Sequence, residues 1–180
     1  MIKLIVGLGN PGQQYEKTRH NVGFLFLEHL AALSGSSWNK EKRFQGMWAT
    51  GKLRLQKVIL FKPDTFMNCS GQAVGLIARY YKINSDEILV IHDELDFEAG
   101  KVKIKKNGGH AGHNGLRDII AHLDSHAFYR LRIGIGRPVA GKSVADYVLS
   151  TPSKEEMEKI TSVIIDGERL VDNLMNEIKD

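Results

Sequence analysis

His20 and Asp93 are the two side chains of this 180-residue sequence best suited to proton transfer. A histidine titrates near working pH and is the natural general base. An aspartate can accept its ring N–H, fix the tautomer and stabilise the imidazolium formed on proton transfer. The pair has no nucleophile of its own, so an activated water fills that role. Asn10 lies in GLGNPG, after the apolar run Ile2 to Val6, and His20 lies in Thr-Arg-His-Asn at 18–21. Asn10 and His20 are expected to meet in one pocket. Asn68, Asp93 and Asn114, each in a polar loop, are expected to complete it. Asn10 and Asp93 both follow strands, and in open α/β sheets sites gather beyond the strands' carboxyl ends.

Each choice has a plainer reading. A single histidine is commonly structural, Asn10 before Pro11-Gly12 fits turn chemistry, and Asn68 or Ser70 could be only a helix cap. Cys69 beside Ser70 suggests a nucleophile, but no G-x-S-x-G elbow is present and Cys69 is read as a bystander. His92, Asp93, His110 and His113 suggest a metal site. Yet His92 and Asp93 are adjacent on a strand and point to opposite sides, and neither H-E-x-x-H nor paired cysteines occur. No metal is expected. Gly7, Gly9 and Gly12 spell the dinucleotide fingerprint G-x-G-x-x-G. The fingerprint needs a helix opening inside the glycines and an acidic residue ending the next strand, about 20 residues on. Gln13 to Lys17 has no apolar periodicity, and Glu28 falls on a helix instead, so that reading is rejected.

These residues need a scaffold. Ile2 to Val6 and Ile88 to Ile91 read as buried strands. Asn21 to Leu33 reads as a helix with Val22, Leu25, Phe26, Leu30 and Leu33 inward, capped by Thr18. His20 then sits in its first turn. Gly35 to Arg43 reads as loop, and Phe44 to Ala49 with Lys52 to Phe61 as a hairpin. A second helix ends near Tyr81. Lys101 to Lys106 and Tyr129 to Ile135 alternate as strands, flanking a helix with Leu116, Ile119, Ile120 and Leu123 inward. Residues 138–152 read as a mobile lid or connector. Ser153 to Glu156 reads as a capping box opening an amphipathic helix over 153–179. Alternating strands and helices predict one α/β domain spanning 1–180, with a twisted, mixed, largely parallel sheet flanked by helices.

Lys101, Lys103 and Lys105 share one strand face, and Arg130 with Arg132 share another. Such faces are ordinarily just solvated. If the two strands pair, they form a ribbon suited to phosphates. The loop NGGHAGHNG adds backbone N–H groups suited to a phosphate or an oxyanion. Composition is ordinary for a globular chain, at 42% apolar and 26% charged, and the net charge of +4 favours an anionic partner weakly. One cysteine excludes an internal disulfide. No signal-peptide pattern or bilayer-length apolar stretch occurs, so a cytoplasmic protein without membrane association is expected.

Four blocks in order carry a resemblance: GLGNPG with Tyr15 and T-R-H-N; K-P-x-T-F-M-N-x-S-G; H-D-E-L-D; and G-G-H-x-G-H-N-G-L-R-D-I followed by R-L-R-I-G-I-G-R-P. Together they cover roughly residues 2–138. The chain resembles the bacterial-type peptidyl-tRNA hydrolases. Asn107 stands where that family frequently has a third glycine, and the tail after about Gly141 is short for it. The resemblance implies a cofactor-free, monomeric esterase acting on peptidyl-tRNA, cleaving the ester between a peptide and the 3′ ribose. It implies His20 as base, Asp93 as the group holding it, and Asn10 as a discriminator of blocked from free aminoacyl-tRNA. Asn68 and Asn114 would bind the peptide and position carbonyl and water. Tyr15, Phe66 and Met67 would line the site, with His113 in support. Lys105 and Arg132, with Lys103 beside them, would contact tRNA phosphates. A tRNA-binding module without catalysis is the alternative; it accounts for the basic strands but leaves Asn10, His20, Asp93 and Asn114 without a purpose.

Overall fold

The computed structural model describes residues 1–178. In chain order its elements are β1 (Leu4–Gly7), α1 (Val22–Leu33), β2 (Asn39–Glu41), β3 (Gly46–Leu53), β4 (Gln56–Pro63), α2 (Ser70–Tyr80), β5 (Ile88–Glu94), β6 (Val102–Lys106), α3 (Asn114–Leu123), β7 (Tyr129–Gly134), α4 (Val144–Val148), α5 (Lys154–Ser162) and α6 (Ile164–Glu177). Short 3-10 turns lie between them, among them Gln13–Tyr15, Arg19–Asn21 and Met67–Cys69.

The strands form one sheet in the order β2-β3-β4-β1-β5-β7-β6. The four central strands, β4, β1, β5 and β7, run parallel, and the pairings of β2 with β3, β3 with β4, and β6 with β7 are antiparallel. Side-chain alternation sorts the helices into layers. Ile5, Leu89, Ile91, Leu131 and Ile133 face α1 and α6 through Phe26, Leu27, Leu30, Val171 and Leu174. Leu4, Val6, Ile88 and Val90 face α2 and α3 through Val74, Ile77, Leu116 and Ile119. β1 and β5 are covered on both sides, which is why they read as unbroken apolar runs. No helix among the described residues is long and apolar enough to cross a membrane.

Several local expectations need correction. Leu25 and Leu33 are 39% and 52% exposed, and Leu27 and Ala31 take the inward places. Thr18 caps no helix with its side chain: its hydroxyl donates to the Tyr15 carbonyl. His20 belongs to a separate 3-10 turn before α1. The polar stretch before Phe44 contains the short edge strand β2, which periodicity cannot reveal over three residues. The hairpin turns at Arg54-Leu55, with Arg54 at φ 54°. Within 138–152, the part read as connector holds α4, capped by Ser143. The expected C-terminal helix is two helices meeting at Val163, and its last residue, Lys179, lies outside the described residues. Ser153 accepts from the Glu156 N–H, but the Glu156 carboxylate goes to Arg19, so the capping box is half made.

The glycine motif after β1 serves packing. A Cβ on Gly7 would stand 2.6 Å from the Gly23 carbonyl oxygen, and one on Gly23 would stand 2.4 Å from the Ile91 carbonyl oxygen. Bare backbone on both elements lets the first turn of α1 sit directly on the ends of β1 and β5. Gly23→Ala is therefore expected to destabilise the fold by about 1–3 kcal/mol in urea titrations; an unchanged midpoint would contradict this close packing.

β5 also carries His92 into the interior, 3% exposed. Its Nδ1–H donates to the Asp93 carbonyl at 2.7 Å, and its Nε2 is buried without a partner among the described residues. Burial, with the charge of neighbouring His113 adding, pushes its pKa down to about 3. An unfolded His92 titrates near its ordinary 6.5. Between these values the unfolded chain binds a proton that the folded chain refuses, so this contribution to stability is complete above about 6.5 and is lost as pH falls toward 3. The loss is on the order of 4–5 kcal/mol across that window. His92→Phe should flatten the dependence of unfolding free energy on pH between 6.5 and 4 by close to one proton. An unchanged slope in urea titrations across that range would refute the assignment.

Candidate active site

Asp93 is the meeting point of three segments. On β5 it shares the face of Leu89 and Ile91, toward α1, so its carboxylate reaches the 3-10 turn that precedes that helix. His20 in that turn places Nδ1 at 2.9 and 3.0 Å from the two carboxylate oxygens. His113, from the glycine-rich loop, places Nε2 at 2.8 Å from Oδ1. The His20 and His113 rings lie 5.0 Å apart.

Hydrogen bonding assigns the protons. His113 Nδ1 accepts from the backbone N–H groups of Gly115 and Leu116 at 3.1 and 3.3 Å, so its ring proton sits on Nε2 and is donated to Asp93. His113 is thus also the N-cap of α3. His20 donates Nδ1–H to Asp93, which leaves the lone pair on Nε2, the arrangement a general base requires. Burial of Asp93 opposes its charge, but His20 and His113 outweigh it through charge and hydrogen bonds, and the carboxyl is held well below the ordinary range. Ligating atoms of His20, Asp93 and His113 lie within 4.8 Å of one another, so among the described residues this trio, rather than one containing His92 or His110, is the set that could hold a metal ion. The shared protons account for the same geometry.

His20, Asp93, His113, Asn114, Lys105 and Arg132 all line one cavity of about 460 Å³. Asn10 does not: it lines a second cavity of about 350 Å³ with Asn21, Phe24 and Met47. Asn10 and His20 thus line separate parts of the region, with Met67 between them: its N–H donates to Asn10, and its side chain packs against Gly115 beside His113 and Asn114. Successive side chains of a 3-10 turn diverge by about 120°, and Asn10 follows Asn21, not His20. Its N–H donates to Asn21 Oδ1, and Asn21 Nδ2 donates back to its carbonyl, both at 2.9 Å. Asn10 Oδ1 accepts from the Met67 N–H at 2.7 Å. Its Nδ2 has no partner among the described residues. Met67 is buried, whereas Phe66 and Asn68 in the same stretch are exposed. Phe66 meets Tyr15 edge to face at 6.5 Å. Met67 is thus bonded to Asn10, Phe66 and Asn68 adjoin it in the chain, and Tyr15 stands against Phe66. Asn114 is exposed at the start of α3 and accepts from Arg117.

The basic ribbon forms as expected: Lys103 pairs with Arg132 and Lys105 with Arg130 across β6 and β7. Its members differ in freedom. Lys105 has no acidic partner among the described residues. Lys103 lies 5.4 Å from the centre of the Phe97 ring. Arg132 Nε donates to Glu94 at 2.9 Å, and its guanidinium lies 4.4 Å over Phe97. Arg130 is buried and donates to the Gly108 and Gly109 carbonyls, bracing the loop that carries His113. Burial first, and the charge of Arg132 second, lower its pKa.

Sequence reasoning passed over Arg19, Asn21, Glu94 and the bracing use of Arg130. Arg19 and Asn21 flank His20 in T-R-H-N, and a charged and an amide side chain on either side of a candidate base were the signal available. Glu94 and Arg130 show no local pattern.

Comparison with known proteins identifies the family. A family model described as peptidyl-tRNA hydrolase matches residues 4–180. The chain is 51% identical to the peptidyl-tRNA hydrolase of Dichelobacter nodosus over 98% of this chain and 94% of that one. It is 55% identical to that of Methylococcus capsulatus, over 91% and 87%. The crystal structure of peptidyl-tRNA hydrolase from Acinetobacter baumannii superposes with a TM-score of 0.91 at 41% identity, covering 98% of this chain and 91% of that one. With its fold, about half of its residues and nearly its whole length in common with these proteins, the chain belongs to the peptidyl-tRNA hydrolase family.

Proposed function

We propose that His20 is the general base of this enzyme's reaction, the hydrolysis of the ester that joins a peptide to tRNA, and that a water is the nucleophile. The observation that carries this reading is the bond from His20 Nδ1 to a buried, ionised Asp93. It leaves Nε2 free to take a proton from water as the water oxygen attacks the ester carbon. Collapse of the tetrahedral oxyanion then breaks the bond to the 3′ ribose oxygen, and the imidazolium returns the proton to that leaving group. Asp93 stabilises the imidazolium between the two steps, and His113 holds the carboxylate from its other side.

Asn10 Nδ2, with no protein partner among the described residues, is suited to a peptide carbonyl. Its surroundings disfavour no neutral amide but offer a free α-ammonium little, which would separate blocked from free aminoacyl-tRNA. Asn68 and Asn114, both exposed, are suited to the peptide and to the attacking water. Tyr15, Phe66 and Met67 supply an apolar wall. Lys105, free of any acidic partner among the described residues, is the strongest candidate phosphate contact; Lys103 and Arg132 stand beside it. No step of this reading calls for a residue of a second chain, and the enzyme is proposed to act as a monomer. The lone, exposed Cys69 and a tRNA substrate support a cytoplasmic setting.

Release of the acyl group from N-blocked aminoacyl-tRNA, and not from the unblocked form, is expected in excess EDTA. Loss of turnover in EDTA with recovery on adding metal would replace the water-and-base reading by a metal-dependent one. His20→Ala should lower kcat by about 10²–10⁴ while tRNA affinity holds; near-parental turnover would remove His20 from the role. Lys105→Ala should weaken tRNA binding and reduce the slope of log affinity against log salt by roughly 0.7–0.9. The same slope in parent and variant would exclude Lys105 as a phosphate contact.

A further inference from the structure

The 3-10 turn that carries His20 has little to hold it in place by itself. It spans three residues and receives no side-chain cap, since the Thr18 hydroxyl is engaged with Tyr15. Its orientation rests on the two side chains that flank His20. Asn21 is bound to Asn10, and Arg19 is bound to the segment that follows β7.

Arg19 is 6% exposed. Its Nη2 donates to Glu156 Oε2 at 2.5 Å. Its Nη1 reaches Ser150 Oγ at 2.6 Å and the carbonyls of Tyr147 and Ser150 at 3.2 and 3.3 Å. The guanidinium lies 4.0 Å over the Tyr147 ring. Even its backbone N–H donates to the Ser150 carbonyl, at 3.1 Å. These partners join the His20 turn to α4, to the chain beyond it and to the start of α5. The same α4 places Val144, Ala145 and Val148 in the wall of the His20 cavity. Tyr147 in turn donates its hydroxyl to the Ile135 carbonyl, just past the end of β7, at 2.6 Å. The stretch 138–152, read from sequence as a mobile lid, is thus fastened over 147–150 to the residue next to the proposed base.

We propose that Arg19 is a positioning residue for the hydrolysis: its guanidinium pins the His20 turn to residues 147–156, keeping His20 Nδ1 on Asp93 and α4 in the cavity wall. The proposal rests on His20 being the base. Only a planar fork can meet oxygens on two segments and stack on an aromatic face at once; a lysine offers one point charge that can follow Glu156 but cannot span the others. Loss of the fork frees the turn and the wall together. The tRNA-facing residues of β6 and β7 make no contact with this clamp, so ground-state binding is largely spared.

The test uses the full chain with N-blocked aminoacyl-tRNA, comparing the parent with Arg19→Met and Arg19→Lys. For Arg19→Met, kcat should fall ten-fold or more while KM stays within about three-fold, and the low-field proton resonance of the His20–Asp93 hydrogen bond should broaden or exchange faster with solvent. Arg19→Lys should fall nearly as far. The proposal is overturned if folded Arg19→Met keeps kcat within two-fold, if turnover is lost while that resonance is unchanged, or if lysine restores full activity. Should Arg19→Met fail to fold by circular dichroism, Tyr147→Leu and Glu156→Gln, which remove partners from the less buried side, are judged on the same two readouts. If His20→Ala proves as active as the parent, the reading of the base fails on its own, and the proton resonance alone decides whether Arg19 holds the turn.

Discussion

A buried carboxylate that accepts from two imidazoles is the constraint around which this site is built. Asp93 is 3% exposed, and a lone charge there would be costly. The N–H donors of His20 and His113 meet that cost, and the carboxylate in return orients both rings. Each histidine is held from a second direction. His113 is fixed by the first N–H groups of α3, and His20 by the backbone of a turn whose neighbours on both sides are engaged. The result is an imidazole whose tautomer and direction are set before any substrate arrives, which is what the proposed role of His20 as a preorganised base requires.

The sheet explains why these groups are free to meet. Around β1, α1 starts from the carboxyl end and packs against one face, while α2 and α3 cover the other. Crossing of those layers leaves a crevice beyond the ends of β1 and β5, where an open α/β sheet ordinarily keeps its site. On one face of the antiparallel pair β6 and β7, Lys103, Lys105 and Arg132 stand together, whereas Arg130 of the same face is buried against the Gly108–Gly109 loop. A cavity lined by His20 together with Lys105 and Arg132 is consistent with the proposed reading, in which a reactive ester is attached to a polyanion. The apolar and amide groups around Asn10 stand on the other side of the turn, suited to the peptide.

Much of this was legible in the chain. The apolar runs at β1 and β5, the clean alternation of Lys103 and Lys105 against Val102 and Ile104, and the helical spacing of α3 each express a periodicity set by backbone geometry. The mixed, largely parallel sheet followed from the order of those elements. Rejecting the dinucleotide reading of Gly7, Gly9 and Gly12 also followed from the sequence, because no helix opens inside those glycines; their packing role emerged from how closely α1 approaches. Less legible were α4, the break at Val163 and the place of Thr18. Five residues of helix, one kink and one cap carry too little pattern to outweigh tertiary contacts such as those of Arg19, or a competing local bond such as that of Thr18 to the Tyr15 carbonyl.

By itself, the sequence determined which residue types are present in which local settings: a histidine in a polar turn, an aspartate ending a buried strand, asparagines in loops, and cations alternating along two strands. These are properties of neighbours in the chain, and periodicity and turn chemistry express them directly. Which of those residues touch was decided by tertiary structure alone. His113 joined Asp93 as a full partner, Asn10 went with Asn21 to a different cavity from His20, Arg130 turned inward to brace a loop, and Glu156 left its own helix cap for Arg19 across more than a hundred residues of chain. Such pairings depend on strand register, on close approach between glycine backbones and on the demand that buried charge find a partner, and none of these is encoded within a window of the sequence.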